Sequence, residues 1–261
     1  MSPTGLAHDW RPSPNVGARR NGKRADILLL HYTGMASADA ACRRLCDPAS
    51  GVSCHYLVDE YGGIIQMVEE DMRAWHAGRS FWGGETDINS RSIGIEIHNR
   101  GHDADYPDFP DRQMEAVIAL ARDILTRHPI PPERVLAHSD IAPQRKRDPG
   151  EKFDWRRLFE AGIGHWVEPE PIGEDRGLGR CDQGDAVLAL QGNLAVYGYE
   201  VRQTGRFDVA TEVVVAAFQR HFRPARIDGR ADRSTCATLA RLIASLETPS
   251  RHWTDASGRA I

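Results

Sequence analysis

The sequence predicts an α/β fold, with a mixed central β-sheet flanked by helices and a small C-terminal three-helix domain behind it. Three observations predict this. Short apolar runs and alternating segments in the first 140 residues stop at turn signals, as strands do. A helical apolar period lies among them at 111–128. After a stretch rich in Pro, Gly, Glu and Asp at 168–182, three amphipathic segments follow, separated by glycine-containing turns.

Taken in order, the apolar run over 25–31 reads as a buried strand that stops at Thr33-Gly34 and leaves His31 at its C-terminal end. The Ala-rich segment 37–46 reads as a helix closed by Asp47-Pro48, because proline disfavours helical backbone in the residue before it. Segments 53–58 and 63–68 read as two strands joined by the turn 59–63. Over 92–98, Ile93, Ile95 and Ile97 alternate with Gly94, Glu96 and His98, so one strand face is core and the other looks elsewhere. Met114, Val117, Ile118, Ala121, Ile124 and Leu125 mark the core side of the 111–128 helix, which Pro129 ends. A strand over 135–138 places His138 at a strand end, before a loop rich in Pro and Arg that reaches Asp148. Helices are expected over 187–197, 211–222 and 233–246. The expected domains are 1–170 and 180–250.

With 261 residues, 41% of them hydrophobic, the chain can bury one full domain and an accessory one. Thirty-three Lys and Arg against 37 Asp and Glu give a net charge of -4, which does not favour nucleic acid or an anionic membrane as partner. The longest apolar run, 213–218, is far short of the roughly 20 residues that span a bilayer. The polar N-terminus, followed by Pro12 and Pro14, carries no apolar run of the kind an export signal needs. Five cysteines, an odd set without a repeated framework, suit a reducing compartment. Cys42 and Cys46 have the spacing of half a metal knuckle, but no second matched pair is present, so packing on one helix face is expected. Nothing in the sequence calls for an oligomer, and a monomer is expected.

A hydrolytic zinc site needs three protein ligands of mixed nitrogen and oxygen type, with a fourth position left for water. His31, His138 and Asp148 can supply them from the ends of two expected strands and the loop after the second. Their spacing is not a local zinc motif of the His-Glu-x-x-His kind, and scattered surface histidines are the alternative reading. The surrounding segments add to this. Leu30-His31-Tyr32-Thr33, Ala74-Trp75-His76-Ala77-Gly78, the strand around Glu96 with Asn99 after it, and the long segment from Ala137-His138 through Lys146 and Asp148 to Gly150 occur in order. Together they resemble the type 2 N-acetylmuramoyl-L-alanine amidases, AmiD/AmpD-like, over roughly residues 20–165. The tail, with Ala217-Phe218-Gln219 and Asp228-Gly229, resembles the C-terminal peptidoglycan-binding-like domain of the AmiD branch.

The resemblance implies a zinc ion held by His31, His138 and Asp148, catalytic roles for Glu96 and Lys146, and a type 2 amidase (peptidoglycan-recognition-like) fold. It implies hydrolysis of the amide between the muramic acid lactyl group and L-alanine in (anhydro-)muropeptides or peptidoglycan. The residues fit: Glu96 shares its strand face with glycine, so its carboxylate must face a polar cavity or suffer a large desolvation cost. Lys146 lies two residues before Asp148, so the ammonium can come alongside the metal. Trp75, His76 and Asn99 are candidate substrate contacts, with a buried Trp, a hydrogen-bonded structural His and a loop-fixing amide as the alternatives. His98 replaces the acidic residue expected in the AmiD branch, which leaves a contact there in doubt. Cys54, beside His55, is a candidate nucleophile without a third orienting group. A cytoplasmic recycling role is expected from the cysteines and the N-terminus, with a periplasmic, envelope or phage-lytic role as the alternative. Rival readings are a non-catalytic peptidoglycan-binding or sensing module and an unrelated zinc peptidase.

Overall fold

The computed structural model describes residues 4–246; positions 1–3 of the expected first domain and 247–250 of the second lie outside them. Strands β1 (Asp9–Trp10), β2 (Val16–Ala18), β3 (Ile27–Tyr32), β4 (Tyr56–Val58), β5 (Ile64–Gln66), β6 (Met72–Ala74), β7 (Ser92–Ile97) and β8 (Val135–Ala137) form two sheets. The six-stranded sheet runs β1-β5-β4-β7-β3-β8, and β2 pairs with β6 in a separate ribbon. In the large sheet β3 is parallel to both β7 and β8, and β4 is parallel to β7 but antiparallel to β5, so the sheet is mixed as expected.

The register of β3 against β7 pairs Leu28 with Ile93, Leu30 with Ile95 and Tyr32 with Ile97. That face packs on α2 (Asp111–Arg127), whose Val117, Leu120, Ala121 and Ile124 are fully buried in the same core. Burying each such side chain stabilises the fold by roughly 1.5–3 kcal/mol, which fixes the strands rigidly from behind. The opposite face pairs Ile27 with Ser92, Leu29 with Gly94 and His31 with Glu96. There α1 (Ala38–Cys46) covers Leu57 and Met67 through Ala41, Cys42 and Leu45. Helix α1 starts where Ser37 Oγ accepts the Ala40 N–H at 3.1 Å and stops at extended Asp47, as Pro48 requires.

Beyond β8 come α3 (His138–Ile141) and α4 (Trp155–Glu160), then the helical unit α5 (Asp185–Tyr197), α6 (Val209–Phe222) and α7 (Arg233–Leu246). His138 is therefore not a strand end, as the sequence suggests, but the first residue of a four-residue helical turn. The chain turns there because the Asp140 carboxylate accepts the Ala137 N–H at 2.8 Å. Strands β1, β2 and β6 and helices α3 and α4 are too short to carry a readable period. The 168–182 segment is anchored to α7 and to the chain just before it: the Glu170 N–H donates to Thr238 Oγ1 at 3.1 Å and Leu178 bridges Ala231. One buried core runs through both units, with Trp82 and Trp166 of the first meeting Tyr197 and Phe222 of the second. Among the described residues no helix is long and apolar enough to cross a membrane.

Candidate functional site

His31 and Glu96 are register partners on adjacent parallel strands, so their side chains leave the same face of the sheet side by side. His138 follows β8, the other neighbour of β3, and Asp148 returns from the loop after α3. His31, His138 and Asp148 are all buried, and each can direct one ligand atom to a common point. His31 Nδ1 lies 2.9 Å from His138 Nδ1, His138 Nδ1 lies 3.0 Å from Asp148 Oδ2, and His31 Nδ1 lies 3.3 Å from the same oxygen. A tetrahedral ion with bonds of about 2.0–2.1 Å holds its ligand atoms roughly 3.3 Å apart, so the triangle has the right size.

The outer nitrogens decide which way the lone pairs point. His138 Nε2 lies 3.2 Å from the Ala77 carbonyl, which can only accept, so Nε2 is the donor and the other ring nitrogen, Nδ1, is the one that can turn a lone pair inward. His31 Nε2 lies 2.9 Å from His76 Nδ1, and His76 Nε2 lies 3.3 Å from Ser92 Oγ, a chain that lets His31 donate outward and keep Nδ1 bare as well. Burial lowers His31 to about 4 and His76 well below the usual imidazole value, so both are neutral near pH 7. Two lone pairs and a carboxylate oxygen thus face one another, an arrangement that repels itself unless a cation lies between them. The residues present fit a metal ion.

Glu96 and Lys146 line the same cavity as His138 and Asp148, a space of about 190 Å³ that also has Trp75 and Tyr32 in its wall. Glu96 Oε2 is buried with no hydrogen-bond partner among the described residues. Burial pushes its carboxyl up to about 8, Asp148 adds to the rise, and Lys146 opposes it. A carboxylate free of partners beside a candidate metal centre is suited to taking and giving a proton. Cys54 is fully buried and its thiol is pushed well up by burial and by Glu96, which disfavours the thiolate a nucleophile needs.

The remaining sequence candidates fall in three places. Trp75 lines the cavity, and its Nε1 is buried without a hydrogen-bond partner among the described residues. His76 also borders it but stands behind His31, on the outer nitrogen. Asn99 is committed to its own loop, donating to the Pro107 carbonyl at 2.8 Å and accepting the Gly101 N–H at 2.9 Å.

Sequence reasoning missed what surrounds the donors. Gly94 has to be glycine, since a Cβ there would lie 2.5 Å from His76 Nδ1; a glycine between two isoleucines in a strand is a readable sign of such close approach. The Ala77 carbonyl that orients His138 is itself held by Arg145 Nη2 at 2.5 Å, and Arg145 Nε donates to the Arg79 carbonyl at 3.0 Å. No local pattern marks that arginine.

Comparison with known proteins places the chain in a family. Residues 21–151 match the family model described as N-acetylmuramoyl-L-alanine amidase, and residues 183–239 match a family model for peptidoglycan binding domains. The chain is 41% identical over 235 residues to N-acetylmuramoyl-L-alanine amidase AmiD of Escherichia coli, covering 84% of this chain and 83% of that protein. It is 32% identical over 164 residues to the 1,6-anhydro-N-acetylmuramyl-L-alanine amidase AmpD of Enterobacter cloacae, covering 56% of this chain and 86% of the relative. The solved structure of the E. coli amidase AmiD with anhydro-N-acetylmuramic acid-L-Ala-D-gamma-Glu-L-Lys superposes with a TM-score of 0.73 at 39% identity, over 87% of this chain and 92% of that one. AmpDh3 of Pseudomonas aeruginosa in complex with anhydromuramic pentapeptide superposes with a TM-score of 0.71 at 33% identity, over 88% and 95%. Fold and sequence agree, and the chain is an enzyme of the N-acetylmuramoyl-L-alanine amidase family.

Proposed function

We propose that the chain is a zinc-dependent amidase that hydrolyses the bond between the muramic acid lactyl group and L-alanine in (anhydro-)muropeptides or peptidoglycan, in cell-wall recycling. The observation that carries the reading is the meeting of two bare Nδ1 atoms and one carboxylate oxygen within 3.3 Å, beside an unpartnered Glu96. His31, His138 and Asp148 would hold the ion. A bound zinc ion supplies polarisation of the lactyl carbonyl and a lowered pKa for the attacking water, from about 15.7 toward about 7.

Glu96 takes the proton of that water and passes it to the departing amine of L-alanine. Its carboxyl, at about 8 without metal, is drawn toward its charged form beside a cation, which brings it near the working pH. The Lys146 ammonium stabilises the carbonyl oxygen as negative charge develops on it. Trp75 offers an aromatic wall to sugar or peptide, His76 fixes the ring of His31, and Asn99 holds the loop after β7. Residues 1–170 form the catalytic unit in this reading and 180–250 a peptidoglycan-binding-like unit. Five unpaired cysteines favour the cytoplasm, and the anhydromuramic ligands of the two structural relatives favour a recycling substrate.

Mass spectrometry of anhydro- and ordinary muropeptides treated with the purified protein tests the proposal. Release of intact stem peptide, suppressed by a chelator and restored by zinc, is the expected result. Release of amino acids from the stem with the lactyl amide left whole would make it a peptidase, and binding without cleavage would make it a sensing module.

A further inference from the structure

The site is assembled by the first unit, yet one of its supports comes from the second. Asp140, in the turn α3, is completely buried. Its Oδ2 accepts the Ala137 N–H at 2.8 Å and His221 Nδ1–H at 2.7 Å, and its Oδ1 accepts the Tyr199 hydroxyl at 2.7 Å. Ala137 immediately precedes His138, so the carboxylate bonds to the backbone just before the histidine from a position just after it. Tyr199 follows α5 and His221 lies on α6, more than 50 residues further along the chain.

The same junction reaches the other segment that orients His138. The loop carrying the Ala77 carbonyl continues to Trp82, whose ring meets Tyr199 edge-on with centroids 4.9 Å apart. The Gly83 N–H donates to the Gly198 carbonyl at 2.8 Å, and a Cβ on Gly198 would strike the Trp82 ring at 2.6 Å. The Phe81 N–H donates to the Ile141 carbonyl of α3 at 2.9 Å, tying loop and turn together. His221 is itself clamped between Trp155, centroids 3.7 Å apart, and Phe222, 3.8 Å. A carboxylate without exposure is strongly disfavoured unless its lone pairs are met, so the two donors from the helical unit hold α3 in one position.

We propose that Tyr199 and His221 are positioning residues of the metal centre, holding His138 in its metal-ligating orientation through Asp140. The helical unit therefore completes the active site as well as packing against it. The inference rests on the reading of His31, His138 and Asp148 as metal ligands. Outer partners of metal ligands typically affect affinity or activity by about 10–100-fold, and an effect through the backbone turn belongs at the lower end, about tenfold.

The test uses the full chain and four proteins: wild type, Tyr199→Phe, His221→Asn and His221→Phe. Zinc affinity by chelator competition, the visible spectrum of the cobalt-substituted protein, kcat, KM and thermal midpoint are read for each. Tyr199→Phe keeps the ring and loses only the hydroxyl; it is expected to weaken zinc about tenfold, to perturb the cobalt spectrum, and to lower kcat with little change in KM. His221→Asn keeps a donor near the Nδ1 position but loses the stack, whereas His221→Phe keeps the stack and loses the donor. Positioning requires the Asn variant to bind metal better than the Phe variant, even where its thermal midpoint is lower. If all three variants match wild-type zinc affinity and cobalt spectrum while only the thermal midpoint falls, the helical unit merely buttresses the fold and the inference is overturned. If wild type itself binds no divalent ion, the metal reading fails and the inference falls with it.

Discussion

Glu96, half-buried on the cavity wall with one oxygen sealed off, and Asp140, fully buried at the seam between the two units, are carboxylates that the fold treats in opposite ways. Asp140 meets three donors within 2.8 Å, two of them from the helical unit. Glu96 has an oxygen that meets none, and burial pushes its carboxyl up to about 8. A saturated carboxylate is locked in one geometry; an unsatisfied one is costly to the fold but free to exchange a proton. The comparison separates the part of the molecule built to hold from the part built to react.

Four measurements break or sharpen that contrast. The largest effect is expected from Glu96→Gln, which should lower kcat by about 10²–10⁴-fold while leaving the thermal midpoint unchanged or raised. A marked loss of stability instead would put Glu96 among the holding groups. Asp140→Ala should do the reverse in kind, costing about 3–5 kcal/mol in denaturant unfolding because it strands His221, Tyr199 and the Ala137 amide without an acceptor. A change within about 0.5 kcal/mol would show that the seam is loosely held. Gly94→Ala comes next: its Cβ would meet His76 Nδ1 at 2.5 Å, so the outer support of His31 must move, weakening zinc about tenfold by chelator competition. Unchanged affinity would remove His76 from the metal centre.

The fourth measurement is a slope with pH. The Glu96 carboxyl stands at about 8 in the folded, metal-free protein against 4.5 for the free group. The folded state therefore holds the proton more tightly, and stability falls as pH rises from about 4.5 to about 8. Unfolding curves of the metal-free protein across that range should show the decline, and Glu96→Gln should flatten it. An equal slope in the variant would assign it to other groups.

His31 was legible as a donor at the end of a periodic strand, whereas His138 and Asp148 came mainly from the order of motifs that resembles the amidase family. The core period of β7 left Glu96 and Gly94 on the face away from the isoleucines, and the register puts both where that face meets His31 and Leu29. The Ala-rich helix α1 and the helix α2 begin and end within a residue or two of their sequence signals. Less was readable around the donors. The strand expected over 135–138 forms over 135–137 and gives way to a turn at His138, where the Ala137 N–H donates to the Asp140 carboxylate. Asn99, a candidate for substrate, spends both ends of its amide on its own loop.

By itself the sequence determined the layered fold, the order of its segments and which residue types could ligate a metal. These follow from hydrophobic period, proline and glycine placement, and motif order, all of which are local in the chain. Only the tertiary structure decided which nitrogen of each histidine faces inward, that His76 backs His31, and that Asp140 is held from the helical unit. Those outcomes depend on burial and on partners 45, 59 and 81 residues apart, and such contacts leave no local pattern to read.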